Sequence, residues 1–469
     1  MNGQRKVRIS PTFLKITPRK AGLRDLSRLL GHSDLRRRDF VDSSDETGVE
    51  FKYRWLIFIS TAMQKLLMFF STPLALVGLV TETWLNFLSY NPTLCAFIKH
   101  LFNGTLIPHR DSADYVSFIG HLDDRKKWDS DIKNGDGLRY FSALCMMASK
   151  AAYENKAYIE SIVKDWEMVE FLEFHNCWND YQNKATTGVY FLRVKGDDHD
   201  TIVVAFRGTK PFSADDWCTD WDLSQKQLDY MGSVHEGFMR ALGLPKDYQD
   251  DPSFFNWPVE YKQPTAYYFV RDKLKQLLNE NEKTKFLVTG HSLGGALAIL
   301  FPTVLLYHDE SSLVQRLDGV YTYGQPRVGD GKFAEFMECK LKEQNIRYLR
   351  FVYDFDMVPR LPYDEKDHWY KHFGKCLYYD CHYQGKVVSV LPNKNYFSVM
   401  MSMNMIMSAI FELIRSFTIQ YTKGSYYKEG WLSRSTRVIG LVIPGVSDHS
   451  PQGYVNITCL GSPEDLIDS

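Results

Sequence analysis

The stretch Phe286-Leu-Val-Thr-Gly-His-Ser-Leu-Gly-Gly-Ala-Leu-Ala298 carries the reading of the whole chain. A short apolar run enters it, G-x-S-x-G sits in its middle, and an apolar helix-forming run leaves it. Strand, tight turn and helix in that order present a serine hydroxyl at the tip of the turn. Gly290 and Gly294 flank Ser292 because a side chain at either position would collide across the turn. Gly295 and Ala296 are small enough to let the next helix pack close to a sheet. The start of that helix also turns its positive dipole end toward negative charge developing at the serine. The competing reading is a Gly-rich turn in which Ser292 only caps a helix.

A serine hydroxyl is a poor nucleophile at neutral pH, so the motif demands a histidine within hydrogen-bond reach and a carboxylate to orient it. On the α/β-hydrolase pattern the chain order is serine, acid, histidine, which confines the search to residues after Ser292. Tyr348-Leu-Arg-Phe-Val-Tyr-Asp354-Phe-Asp356-Met-Val-Pro-Arg-Leu-Pro362 ends an expected strand with two aspartates and a Pro-flanked turn. Period alone does not choose between Asp354 and Asp356. Histidine candidates are His308, His368, His372, His382 and His449. His308 sits at the far end of the helix that follows the turn. His449 lies in a polar loop, Val446-Ser-Asp-His-Ser-Pro451, after a strand-like Val438–Pro444.

Outward from the motif, short apolar runs read as buried strands at Val189–Val194, Thr201–Phe206, Phe286–Thr289, Val320–Thr322 and Tyr348–Tyr353. Tyr268–Leu278 and Leu293–Leu306 read as helices between them. Such alternation predicts an α/β fold with a mainly parallel central sheet flanked by helices. The catalytic unit spans 137–469, and a polar connection at 106–136 precedes it. Residues 51–105 are an apolar helical segment, WLIFISTAMQKLLMFFSTPLALVGLVTETWLNFLSY at its centre, expected to associate with a membrane or lipid droplet. Gln64 and Lys65 interrupt it, and Pro73 lacks an N–H, so a helix–bend–helix lying in one leaflet is expected. A single span and a buried hairpin packed on the catalytic unit are the alternatives.

Residues 1–50 form a basic, partly disordered arm suited either to an anionic surface or to plain solvation. Over all 469 residues the net charge is only −1, which gives no general attraction for nucleic acid. The eight cysteines are scattered, and no apolar leader follows the first basic residues, so reduced thiols and an intracellular setting are expected. The sequons at Asn103 and Asn456 would then go unused. His368, His372, Cys376, Cys381 and His382 mix metal-binding types, but without a regular ligand spacing they read as packing, so no metal is expected.

Six pieces of the chain resemble the class 3 lipases, the fungal-type triacylglycerol lipases and their plant relatives. They are Val203-Val-Ala-Phe-Arg-Gly-Thr209, Val234-His-Glu-Gly-Phe238, Val288-Thr-Gly-His-Ser-Leu-Gly-Gly295, Tyr323-Gly-Gln-Pro-Arg-Val-Gly329, Asp356-Met-Val-Pro359 and Asp448-His449. The resemblance implies Asp356 as the acid and His449 as the base of Ser292, with backbone donors at Thr209 and Leu293 for an oxyanion. It places a lid at about 210–222, where Phe212, Trp217 and Trp221 stand among acidic residues. His235 is read as structural. Residues 363–443 make an insertion relative to the compact fungal enzymes. Its Met-rich part, Tyr396–Arg415, suits an acyl tunnel, a membrane-facing wall or a core helix. The basic arm and the segment around Pro73 are similar to plant oil-body lipases, which implies a lipid substrate, a droplet or membrane surface as partner, and no cofactor. An A1-type phospholipase or galactolipase, a catalytically silent scaffold and a droplet tether are the competing functions.

Overall fold

The computed structural model describes residues 14–35, 38–43, 49–134, 137–243, 264–364, 369–395, 399–461, 463 and 466. The chain opens with β1 (Leu14–Ile16), α1 (Leu23–Gly31), β2 (Val41–Ser43), α2 (Phe51–Phe69), α3 (Ser71–Tyr90), α4 (Leu94–Phe102) and α5 (Phe118–Leu122). Next come α6 (Gly137–Ala151), α7 (Lys156–Val163), β3 (Val169–Asn179), β4 (Lys184–Val194) and β5 (Thr201–Phe206). They are followed by α8 (Ala214–Trp221), β6 (Gln225–Leu228), β7 (Gly232–His235), α9 (Glu236–Leu242) and α10 (Ala266–Asn279). β8 (Lys285–His291) leads into α11 (Leu293–Tyr307), then α12 (Ser311–Val314), β9 (Leu317–Tyr323), β10 (Gly329–Asp330), α13 (Gly331–Glu343) and β11 (Arg347–Tyr353). Last are β12 (Tyr370–Lys371), β13 (Lys375–Tyr379), β14 (Gly385–Val388), α14 (Val399–Thr422), α15 (Trp431–Val442) and α16 (Pro451–Leu460).

The large sheet has the order β14-β13-β11-β9-β8-β5-β4-β3. Its five central strands, β13 to β5, run parallel, while β14 at one edge and β4 and β3 at the other pair antiparallel. The sheet is therefore mixed, with the parallel part in the middle. All five expected strands are present. Residue alternation along β5 divides the core in two. Ile202, Val204 and Phe206 face α9, α10 and α11, whereas Val203 and Ala205 face α6 and α16. Each aliphatic side chain buried this way contributes about 1.5–3 kcal/mol relative to exposure. The result is a rigid platform whose strand ends carry the loops after β5, β8 and β11.

Three expectations need correction. Residues 14–43 are not a solvated arm. β1 and β2 extend a second, antiparallel sheet ordered β12-β10-β7-β6-β1-β2, and Leu14, Ile16, Leu26, Leu29 and Phe40 form a small core with Ile57 of α2. A basic residue there serves as a backbone cap: Arg38 donates to the carbonyls of Arg28, His32 and Asp34 at the end of α1, and Arg54 of α2 donates to those of Leu29, Leu30 and His32. Lys65 of α2 is tied to the same region; its amine donates to the carbonyl of Ala21 at 2.6 Å. The stretch before His449 is helical (α15) rather than strand-like, because Ser433, Arg437 and Gly440 recur at helical spacing as its inward face. The stretch 363–443 is not all peripheral to the catalytic fold, since β13 pairs in parallel with β11 inside the main sheet.

No single described helix is long and apolar enough to cross a membrane, but α2 and α3, bent by 60° at Phe70, reach that length and composition together. Pro73 stands in the first turn of α3, where its missing N–H costs no helical bond. α2 buries polar residues, Arg54, Ser60, Thr61 and Gln64, and exposes Phe51, Trp55, Leu66 and Phe69. α3 exposes Leu76, Val77, Leu79, Val80 and Trp84.

Candidate active site

Ser292 sits between β8 and α11 with φ 59 and ψ −131, a strained backbone that lifts its hydroxyl off the strand end. The turn is held by the Ser292 amide donating to the Tyr323 carbonyl at 2.8 Å. Its tightness explains the flanking glycines: a Cβ at Gly290 would meet the Gly294 backbone at 2.1 Å, and one at Gly294 would meet the Phe206 carbonyl oxygen at 2.3 Å. Ser292 Oγ lies 2.8 Å from His449 Nε2. His449 Nδ1 lies 2.8 and 3.0 Å from the two carboxylate oxygens of Asp356. The turn after β11, the 447–449 turn and the β8–α11 elbow thus bring three distant residues into one hydrogen-bonded line.

Asp354, the other aspartate of that segment, points elsewhere. Its carboxyl accepts from Ser408 of α14 and Tyr378, and burial with the nearby Glu412 charge pushes its pKa up to about 7. Asp356 is fully buried and accepts two further donors, the Val358 amide at 2.9 Å and the Tyr454 hydroxyl. Three donors on one carboxylate fix its orientation.

Thr209 and Leu293 both adjoin Ser292. Leu293 opens α11, so its amide has no acceptor within the helix and is free to meet an incoming oxyanion. Thr209 borders the Ser292 cavity, and its hydroxyl donates to Asp220 at 2.7 Å. Burial raises Asp220 to about 8, so its carboxyl is neutral at pH 7 and sets no negative charge beside the oxyanion position.

Residues 203–366 match the pattern of the family described as lipase (class 3). The triacylglycerol lipase OBL1 of Nicotiana tabacum is 39% identical, over 91% of this chain and 87% of its own length. That of Arabidopsis thaliana is 40% identical, over 88% of this chain and 86% of its own. The chain belongs to the class 3 lipase family. Among solved structures, the lipase of Rhizopus microsporus var. chinensis aligns with a TM-score of 0.38 and 23% identity, over 52% of this chain and 75% of that one.

The expected lid of this class 3 lipase is α8 with the residues before it, and it lies clamped rather than free. α2 packs along it, and α3 covers its start. Ser60 donates to the Trp221 carbonyl at 2.6 Å, and a Cβ at Gly78 would fall 2.5 Å from Phe212. The Phe212 ring meets Phe118 edge-on with centroids 5.0 Å apart. Trp217 donates its indole N–H to the Pro211 carbonyl at 2.9 Å and walls the cavity above Ser292. That cavity is about 190 Å³, lined mainly by apolar groups from α5, α8 and α15 and the turn at Met357. Pockets for small molecules usually span roughly 300–1,000 Å³, so this closed form has no room for a whole acylglycerol. A larger cavity of about 610 Å³ shares Phe118, Ile119, Tyr153 and Pro211 as walls but contains none of Ser292, Asp356 and His449.

Two supporting residues escaped the sequence reading. His291 is buried, which drives its pKa well below 6.5 and keeps it neutral. Its Nε2–H donates to the His449 carbonyl at 3.0 Å, leaving Nδ1 to accept from the Tyr153 hydroxyl at 2.8 Å. Tyr454 was hidden because nothing in a helical tyrosine five residues after His449 announces a carboxylate partner. His235, the structural candidate, is neutral, with its pKa lowered to about 3 by burial. It donates to the Asp222 carbonyl just past α8 and accepts from the Phe238 amide, capping α9. Of the mixed His and Cys group, His372 donates to the Pro359 carbonyl, Cys376 lies within β13, His382 packs on Phe411, and His368 lies outside the described residues. Among the described residues no cluster of His, Cys, Asp and Glu could hold a metal ion.

Proposed function

We propose that this protein hydrolyses acylglycerol esters, triacylglycerols foremost, at a lipid-droplet or membrane surface inside the cell. The observation that carries the reading is the 2.8 Å contact from Ser292 Oγ to His449 Nε2, backed by Asp356 and opening into an apolar cavity. Two relatives alike over most of their length are named triacylglycerol lipases, which supports the same substrate class here.

His449 takes the Ser292 proton as Oγ attacks the ester carbonyl carbon. Asp356 holds the Nδ1–H tautomer and stabilises the imidazolium. The carbonyl oxygen becomes an oxyanion facing the amides of Leu293 and Thr209, where losing one donor typically lowers the rate about 100- to 1,000-fold. The tetrahedral species collapses, the C–O bond to the glyceryl alcohol breaks, and that alcohol leaves with the proton from His449. Water, deprotonated by His449, then attacks the acyl–Ser292 ester and releases a fatty acid. No metal, nucleotide or redox cofactor enters these steps. The exposed apolar sides of α2 and α3 support monotopic attachment of the segment to lipid.

The test is fatty-acid release from emulsified triacylglycerol and from phospholipid vesicles, by wild type and Ser292→Ala. Release from the emulsion that vanishes in the mutant is expected. Faster turnover of vesicles would reassign the substrate to phospholipids. Equal, negligible rates for both proteins in well-folded form would leave a silent scaffold.

A further inference from the structure

α14 and α15 are built inside out. Their charged residues turn inward: Arg437 bridges Glu412 and Glu429, and Arg415 pairs with Glu412 at 3.0 Å while donating to the Cys381 carbonyl. Glu412 and Arg437 are buried. From Met403 to Tyr421 no other charged residue occurs, so the outward face of α14 carries no formal charge. On that face Met407 is 61% exposed and Ile414 60%, and on α15 Val442 is 80% exposed. A helix on a water-exposed surface has the opposite arrangement, with its apolar stripe inward and charges outward. An apolar exposed patch extending over two helices marks a surface that meets something other than water.

The cavity says what that something is. Ile439 and Val446, half-exposed on this same face, also line the wall around Ser292. Leu432 of α15 packs against Ile119 and Leu122 of α5, and α5 in turn packs against α3. α5 therefore links α3 to α15, and α5 and α15 give the cavity a mainly apolar wall through Phe118, Ile119, Leu122 and Ile439. α2 repeats the pattern, with Arg54, Ser60 and Gln64 inward and Trp55, Leu66 and Phe69 outward. Two elements far apart in sequence share one inverted polarity: α15 walls the cavity directly, and α2 holds α8, whose Trp217 walls it.

We propose that α14 and α15 form a second lipid-docking face, which seats the mouth of the Ser292 cavity on the lipid surface that supplies its substrate. This rests on the acylglycerol hydrolase reading above. α2 and α3 hold one side of the rim on the lipid, and α14 and α15 hold the other. Flexible methionines on α14 suit a disordered acyl layer, since they pack without demanding one geometry. An acyl chain then passes from the lipid past Ile439 and Val446 without crossing water.

The test uses the full chain carrying Met407→Glu, Ile414→Glu and Val442→Glu together. These positions are exposed and lie outside the cavity wall, so the fold is retained, as far-UV circular dichroism and turnover of a soluble short-chain nitrophenyl ester will report. Flotation with triolein droplets coated by phosphatidylcholine is expected to drop at least tenfold. Emulsified triacylglycerol turnover falls with it, and soluble-ester turnover stays unchanged. Unchanged flotation and emulsion turnover would overturn the proposal. So would a wild type that is dimeric without lipid and a variant that is monomeric yet floats normally, since the face would then be a contact between two copies. Flotation is independent of catalysis. A wild type that floats through this face but hydrolyses nothing would sink the enzymatic reading and leave the docking face standing.

Discussion

Ser60 of α2 donates its hydroxyl to the backbone carbonyl of Trp221, the last residue of α8, across 2.6 Å and 161 positions of sequence. A helix that exposes an apolar side thus holds the cover of the cavity directly. Ser60→Ala removes the bond between the two helices, worth about 0.5–1.5 kcal/mol, together with the one that Ser60 accepts from Gln64 within α2, and leaves the Trp221 carbonyl without that donor. The closed arrangement loses that much relative to the open one. Soluble-ester turnover without lipid is expected to rise by roughly 2- to 10-fold, with a smaller further gain on adding droplets. A stopped assay on a nitrophenyl ester below its solubility limit checks it, and an unchanged basal rate would show that α8 moves independently of α2.

Tyr454→Phe tests how the Asp356 carboxylate is held. The hydroxyl donates to an ionised, fully buried group, so its loss costs about 1.5–3 kcal/mol. kcat is expected to fall at least tenfold with KM nearly constant, because the effect reaches the transition state through His449. A rise in KM alone would place Tyr454 in substrate binding instead.

Alkaline pH should expose Asp220. Its pKa is raised to about 8 by burial, so the folded protein keeps it neutral below that pH although an unfolded chain would ionise it near 4. Above about pH 8 it acquires a negative charge one hydrogen bond from Thr209, opposing the oxyanion. Soluble-ester kcat/KM is expected to decline through that pH in wild type and to lose this limb in Asp220→Asn. The same limb in both proteins would assign it to another group.

Glu412 anchors α14 from within. Arg437 and Arg415 beside it outweigh its burial and hold its pKa at about 2. A depressed carboxyl lends stability above its unfolded pKa, near 4.5, and withdraws it as pH falls toward 2. Breaking a buried ion pair by removing one partner typically costs about 3–5 kcal/mol. Glu412→Gln should lower the urea midpoint at pH 7 clearly, and the gap to wild type should narrow at pH 3. A constant gap across that range would mean the loss is one of packing rather than charge.

The central β8–α11 elbow with Ser292 and the five expected strands were legible because each is local: a period, a glycine pair, a short motif. Asp356 could be separated from Asp354 only by resemblance, since both lie at the end of β11 and the choice depends on which meets His449 across the sheet edge. The small antiparallel sheet was invisible because β1 gains its meaning from Ser224, whose hydroxyl accepts from the Ile16 amide at 2.9 Å. α15 was misread as a strand because Val438–Pro444 is apolar over too short a window to show a period. The arm was misread because its arginines and lysines count as surface charge in a composition, whereas Arg38 spends its donors on the carbonyls of Arg28, His32 and Asp34.

The pairing of β1 with β6 has a practical side for anyone seeking a freely diffusing form of the enzyme. β6 follows directly on α8 and precedes β7 and α9, so β1 is stitched beside the exit of the cover segment. Cutting the chain just before α4 to shed its greasy leading part would strip β1 and β2 from the small sheet, bare the side of α8 that faces Ser60 and Gln64, and open Leu223 to water. The α1–α3 segment is woven into the enzyme's tertiary structure and cannot be trimmed away as a removable tail.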